Sequence, residues 1–132
     1  MNESTDPSTQ ETPKWAVFVG NDLMFQSKIS SACQASGLSS KVLRNPQVSI
    51  SETLGPIEPA IFIVDLGLAN LELGQFLLSG KEQYPGSLWL GFGAHVLAER
   101  LDEASQLGFD LVVTRGQFDR DMNRILQSIP RG

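Results

Sequence analysis

Residues 61–67 read "IFIVDLG". Four apolar residues of strand-favouring type run straight into Asp65, bounded on the far side by Gly67. A carboxylate at the end of a buried strand costs free energy unless it is paired or put to use. A run this short and this apolar fits a strand covered on both faces, the kind found in parallel sheets.

Working outward, strand-like and helix-like segments alternate. "WAVFVG" (15–20) is a second short apolar run. After it, 21–37 has helical spacing, with Asn21 or Asp22 placed to cap its start, Phe25, Ile29, Ala32 and Cys33 on one face, and Gly37 as a stop. "SSKVLRN" (39–45) is a weaker strand nearer a sheet edge, and 46–55 fits either a short helix led by Pro46 or a strand. Residues 59–66 form the most strand-like run, followed by a helix over 69–86 through Leu73, Phe76, Leu77 and Tyr84. A strand over 87–93 ends in glycines. A helix over 94–108 follows through Leu97, Leu101, Ala104 and Leu107, then a strand over 109–116. A last helix over 117–130 buries Phe118, Met122, Ile125, Leu126 and Ile129. Such alternation with short loops predicts an α/β fold with one parallel sheet and helices on both faces. Right-handed crossovers make the doubly wound, flavodoxin-like order 2-1-3-4-5 the most economical topology.

The bulk composition narrows the function classes. The 132 residues suit one domain, here 15–130, with a polar Ser/Thr/Glu/Pro-rich segment at 1–14 read as a disordered tail. A net charge of −5 gives nucleic-acid binding no electrostatic support. No apolar run approaches the roughly 20 residues of a membrane span, and no signal peptide is evident. A single cysteine excludes an intramolecular disulfide, so a cytoplasmic location is expected.

In such a sheet the functional groups gather at the carboxyl ends of the strands, near the point where strand order reverses. That rule brings together Gly20, Asn21 and Asp22; Asp65, Leu66 and Gly67; Gly93, Ala94 and His95; and Thr114, Arg115 and Gly116. The turn "VGNDLMF" is neither a P-loop nor a dinucleotide fingerprint. No G-x-S-x-G elbow is present. One His and one Cys cannot build a Cys/His zinc site. Nothing in these motifs carries an enzyme.

The order and spacing of "WAVFVGND", "IFIVDLGL", "LWLGFGAH" and "LGFDLVVTRGQF" over residues 15–129 resemble the receiver domain of two-component response regulators. More narrowly, "DLMFQSKI", "GFGAHV" and "VVTRGQF" look like a subset of short bacterial receiver-like proteins. The resemblance implies a CheY-like fold, with Asp65 at the phosphoacceptor position and signalling through the face made by helix four, strand five and helix five. The implied partner is a histidine kinase or another regulator.

Carried over residue by residue, the rest of the pattern departs. The acidic pair falls on Gly20 and Asn21, with Asp22 one position late. The switch hydroxyl falls on Gly93 and the lysine on Arg115. One carboxylate plus an amide implies at most weak Mg²⁺ binding and no dedicated metal site. Arg115 can instead pair with Asp65 bidentately, a geometry that lysine does not offer. The expectation is a stand-alone pseudo-receiver that keeps the fold and has its phosphoryl switch weakened or lost. Two alternatives stand beside it: a small-ligand or anion sensor in the same crevice, lined also by His95 and Thr114, and a genuine phosphoacceptor at Asp65.

Overall fold

The computed structural model describes residues 14–129. Five parallel strands, β1 (Trp15–Val19), β2 (Ser39–Leu43), β3 (Pro59–Asp65), β4 (Leu88–Gly93) and β5 (Leu111–Thr114), stand in the order 2-1-3-4-5. The helices are α1 (Leu23–Ala35), α2 (Ile50–Leu54), α3 (Leu73–Gln83), α4 (Ala98–Leu107) and α5 (Arg115–Gln127). The expected topology is therefore the one observed. The expected tail lies outside the described residues except for Lys14, whose carbonyl oxygen accepts from the Ser39 N–H at 2.9 Å. Among the described residues no helix is long and apolar enough to cross a membrane.

Period-two alternation divides the strands between two cores. Phe62, Val64 and Trp89 face one side and pack with Ile50, Leu54, Leu73, Phe76, Leu77 and Ala104 of α2, α3 and α4. Ile61, Ile63, Leu90 and Phe92 face the other and pack with Phe25, Ile29, Cys33, Phe118, Met122 and Leu126 of α1 and α5. Trp89 anchors the first core. Its ring stacks on Phe62 with centroids 4.1 Å apart and meets Phe76 and Phe109 edge-on. Gly80 exists to admit that ring, since a Cβ there would overlap it.

Three segments differ from their sequence reading. Residues 46–55 form a turn and then the short helix α2, which begins at Ile50 rather than at Pro46. The fourth helix opens with a 3₁₀ turn, His95–Leu97, before α4 proper. That tighter winding takes Leu97 out of phase with the α-helical face. Only Ala104 of the four expected positions is fully buried, and Leu107 lies at the rim near Gly74 of α3. Finally, β5 ends at Thr114 and α5 starts at Arg115, two residues earlier than the sequence reading placed it. The cause is a capping box. Thr114 Oγ1 accepts from the Gln117 N–H at 3.1 Å, and Gln117 Oε1 accepts from the Thr114 N–H at 2.8 Å.

The two kinds of glycine separate by substitution. Gly80→Ala forces a methyl into the buried Trp89 ring and is expected to cost about 1–3 kcal/mol. Gly116→Ala meets no atom within 4 Å. It lies in the first turn of α5 and is expected to stabilise by about 0.4–1 kcal/mol. Urea unfolding of both variants checks the pair; equal effects would contradict this packing.

Candidate functional site

The carboxyl ends of β1 and β3 adjoin at the reversal of strand order, which places Gly20 against Asp65. A Cβ on Gly20 would stand 3.2 Å from the Asp65 Cβ and 2.6 Å from Phe18 Cζ. The Phe18 ring is itself buried and stacks near Phe92, with centroids 6.2 Å apart. Position 20 thus lacks a carboxylate and also lacks the room for one. Asn21 is exposed.

Asp22 caps α1: its Oδ1 accepts from the Phe25 N–H at 3.0 Å. Its Oδ2 accepts from Arg115 Nη1, also at 3.0 Å. Arg115 starts α5 and its guanidinium lies over two rings, 5.0 Å from the Phe25 centroid and 5.8 Å from that of Phe92. These ring faces hold the cation by their quadrupoles. Arg115 Nη2 stands 3.9 Å from Asp65 Oδ2. That is ion-pair range but too long for a hydrogen bond. The bidentate Asp65–Arg115 pair expected from the sequence is therefore not made. Asp22 takes the hydrogen bond because the cap already turns its carboxylate toward α5, and Arg115 bridges the two acids.

Asp65 is the buried polar residue of the described core, its side chain 11% exposed. Its Oδ1 accepts from the Gly67 N–H at 2.9 Å, a local turn that ties the acid to the loop after β3. Gly93, at the switch-hydroxyl position, lies beneath leucine side chains. A Cβ there would be in ordinary contact with Leu66 Cβ and Leu101 Cδ2 at 3.5 Å and with Leu97 Cδ1 at 3.7 Å. Gly91 is covered in turn by the Leu66 side chain. The glycines of β4 thus lie against leucine side chains, tightly at Gly91 and in ordinary contact at Gly93.

The other predicted residues are placed less centrally. His95 is exposed at the start of the 3₁₀ turn, and its side chain makes no hydrogen bond or ion pair with the described residues. Thr114 is committed to the capping box; the T-x-x-Q spacing of "TRGQ" (114–117) was the signal for it. Cys33 is buried in α1, away from this corner. Sequence reasoning missed Arg100. From α4 it donates Nε to the Leu66 carbonyl at 3.0 Å and Nη2 to the Leu71 carbonyl at 2.7 Å. Nothing local marks this, because "AERLDE" reads as a solvated, charged helix face. Among the described residues no group of three His, Cys, Asp or Glu side chains is placed to hold a metal ion.

No family model matches the sequence, and no curated protein matches it. Solved structures do. A beryllofluoride-activated DrrB receiver domain superposes with a TM-score of 0.73 at 14% identity, over 89% of this chain and 97% of that one. A response regulator from Thermotoga maritima gives 0.73 at 13% identity, over 89% and 98%. The chemotaxis response regulator CheY4 of Vibrio cholerae gives 0.72 at 13% identity, over 90% and 100%. The fold is that of the CheY-like response-regulator receiver domain. At such identities the likeness establishes the architecture, and the chemistry has to be argued from the residues at its corners.

One electrostatic consequence is measurable. The Phe25 N–H and then the Arg115 guanidinium hold the Asp22 carboxyl below its usual value. The folded group is the stronger acid, so on acidification the unfolded chain takes up the proton first. The stability contributed by Asp22 is complete above the ordinary carboxylate range and is lost as pH falls through it toward the lowered value. D22N keeps a capping oxygen but not the charge. Its urea midpoint is expected to fall less than wild type between neutral pH and about pH 3. Parallel falls would show that the Asp22 charge contributes nothing.

Proposed function

We propose that this chain is a receiver-like signal-transduction module that acts by protein contact and in which Arg115 occupies the role of the active-site cation. The observation that carries this reading is the guanidinium set between Asp22 and Asp65, 3.0 Å from one and 3.9 Å from the other. A small hard cation such as Mg²⁺ requires near-octahedral oxygen donors. Here Gly20 offers none, Asn21 faces solvent, and both carboxylates look onto a fixed positive group. These residues do not fit the ion. The aspartyl-phosphate chemistry of receivers needs that ion to screen acceptor from donor. In this reading it is therefore weakened or lost.

The signalling surface in this proposal is the α4–β5–α5 face. Leu111 is 41% exposed there, and Val112 and Val113 are only half-buried. A histidine kinase or another regulator is the proposed partner. An anion sensor is less well supported, because Arg115 already faces two acids and the corner carries no excess positive charge. The phosphoacceptor alternative keeps one favourable observation: among the described residues Asp65 Oδ2 accepts no hydrogen bond, and its nearest cation is 3.9 Å away.

Incubation with acetyl phosphate and Mg²⁺, read by intact mass, decides between the two. The unmodified mass is expected; an added phosphate that D65N abolishes would overturn the pseudo-receiver reading. The cation role has its own measurement. Wild type is expected to melt at the same temperature with and without Mg²⁺. R115A leaves two carboxylates facing each other and is expected to gain a Mg²⁺-dependent upward shift. A shift in wild type as large as that in R115A would sink the assignment.

A further inference from the structure

The phosphoacceptor-position loop and α4 are joined by a side chain outside the corner positions that the sequence singles out. Arg100 presents one edge of its guanidinium, Nε and Nη2, to two carbonyls of the same loop, Leu66 and Leu71. Its third nitrogen, Nη1, lies 3.5 Å from Glu103. The side chain is 29% exposed, so these charge-assisted bonds are partly shielded from water. A lysine cannot hold both carbonyls in this way, because it lacks the planar fork. One turn earlier, the Leu97 Cδ1 methyl reaches the same loop: a Cβ on Gly67 would stand 3.4 Å from it. Gly67 is the residue whose N–H binds Asp65 Oδ1. At the loop's start, the Leu66 N–H continues the sheet by donating to the Phe92 carbonyl at 2.8 Å.

The contacts form an unbroken path. Asp65 holds the Gly67 N–H, the loop's carbonyls hold Arg100, and Arg100 belongs to α4. We propose that this Arg100 clamp couples the state of Asp65 to α4, supplying by hydrogen bonds to backbone what Gly93, having no side chain, cannot supply. The proposal rests on the reading of the α4 face as the signalling surface, and it names the route by which a change in the contacts of Asp65 reaches that face. Loss of the Asp65 bond to Gly67 frees the loop, and the freed loop loosens α4 through Arg100. A chain of packed and hydrogen-bonded groups transmits energy only where both ends bias it, so the claim requires a measured coupling.

Hydrogen exchange on the full chain, followed by mass spectrometry over residues 98–107, provides that measurement, with residues 23–35 of α1 as an internal control. D65A removes the acceptor for Gly67 and is expected to speed exchange in α4 by a factor of about 2 to 30, the range of such couplings. D65N retains an oxygen for that bond, and its α4 exchange is expected to stay within about twofold of wild type. R100Q is expected to speed α4 exchange by itself. In the R100Q background, D65A is expected to add less than about a factor of two. The proposal is overturned if D65A leaves α4 unchanged in wild type, or if it speeds exchange by the same factor with and without the clamp. Should the double variant fail to fold, R100K replaces R100Q; the D65A factor must then be smaller than in wild type, and an equal factor overturns the proposal. A phosphate adduct on Asp65 would defeat the pseudo-receiver reading and leave this coupling measurement intact.

Discussion

One guanidinium organises the carboxyl-terminal edge of the sheet. Arg115 bonds Asp22, faces Asp65 and lies over Phe25 and Phe92. It thereby connects the first residue of α5, the cap of α1 and the end of β3 across the switch point of the sheet. Each contact constrains another. The cap at Phe25 turns the Asp22 carboxylate, that carboxylate orients the guanidinium, and the rings beneath restrict where the guanidinium can go. The Thr114–Gln117 box fixes where α5 begins and therefore where Arg115 is launched. Exposed ion pairs contribute little on average, but a planar cation held by two acids and two rings at once is a geometric constraint as well as an energetic one.

The fold was legible in the sequence because it is written in periodicity. The apolar runs ending at Val19, Asp65 and Gly93 and the helical spacing of Phe25, Ile29, Ala32 and Cys33 need no long-range information, and the observed burial follows them. The elements of the site were legible as corners, since parallel strands must deliver Gly20, Asp65, Gly93 and Arg115 to one edge. Their pairing was not. Whether Arg115 bonds Asp22 or Asp65 depends on a fraction of an ångström set by a capping residue 93 positions away. Arg100 was invisible for a related reason. Its partners are backbone carbonyls, which every residue possesses, so no residue type marks them.

The face toward α3 and α4 shows how a sheet can do without the side chains that a receiver ordinarily places there. Gly91 and Gly93 let Leu66, Leu97 and Leu101 approach the strand. The atoms nearest these two glycines are the aliphatic carbons of those leucines. A hydroxyl that moves toward a phosphate has no counterpart in such packing. What remains polar is the backbone of the loop between β3 and α3, and Arg100 addresses that backbone. The result is a fold with familiar topology whose polar wiring runs through main-chain groups.

The ring of Phe18 gives this arrangement a direction in sequence space. It fills the volume that any side chain at position 20 would need, and it is held there by burial and by its neighbour Phe92. Gly20→Asp alone would set a charged group against a buried aromatic ring that must shift to admit it. A carboxylate becomes acceptable only after Phe18 has been replaced by something smaller, and that replacement alone opens a cavity in the α1–α5 core at a cost of about 3–5 kcal/mol for a change to alanine. The glycine and the phenylalanine therefore hold each other in place: neither changes cheaply without the other, and a route to an acidic pair at this corner passes through a destabilised intermediate.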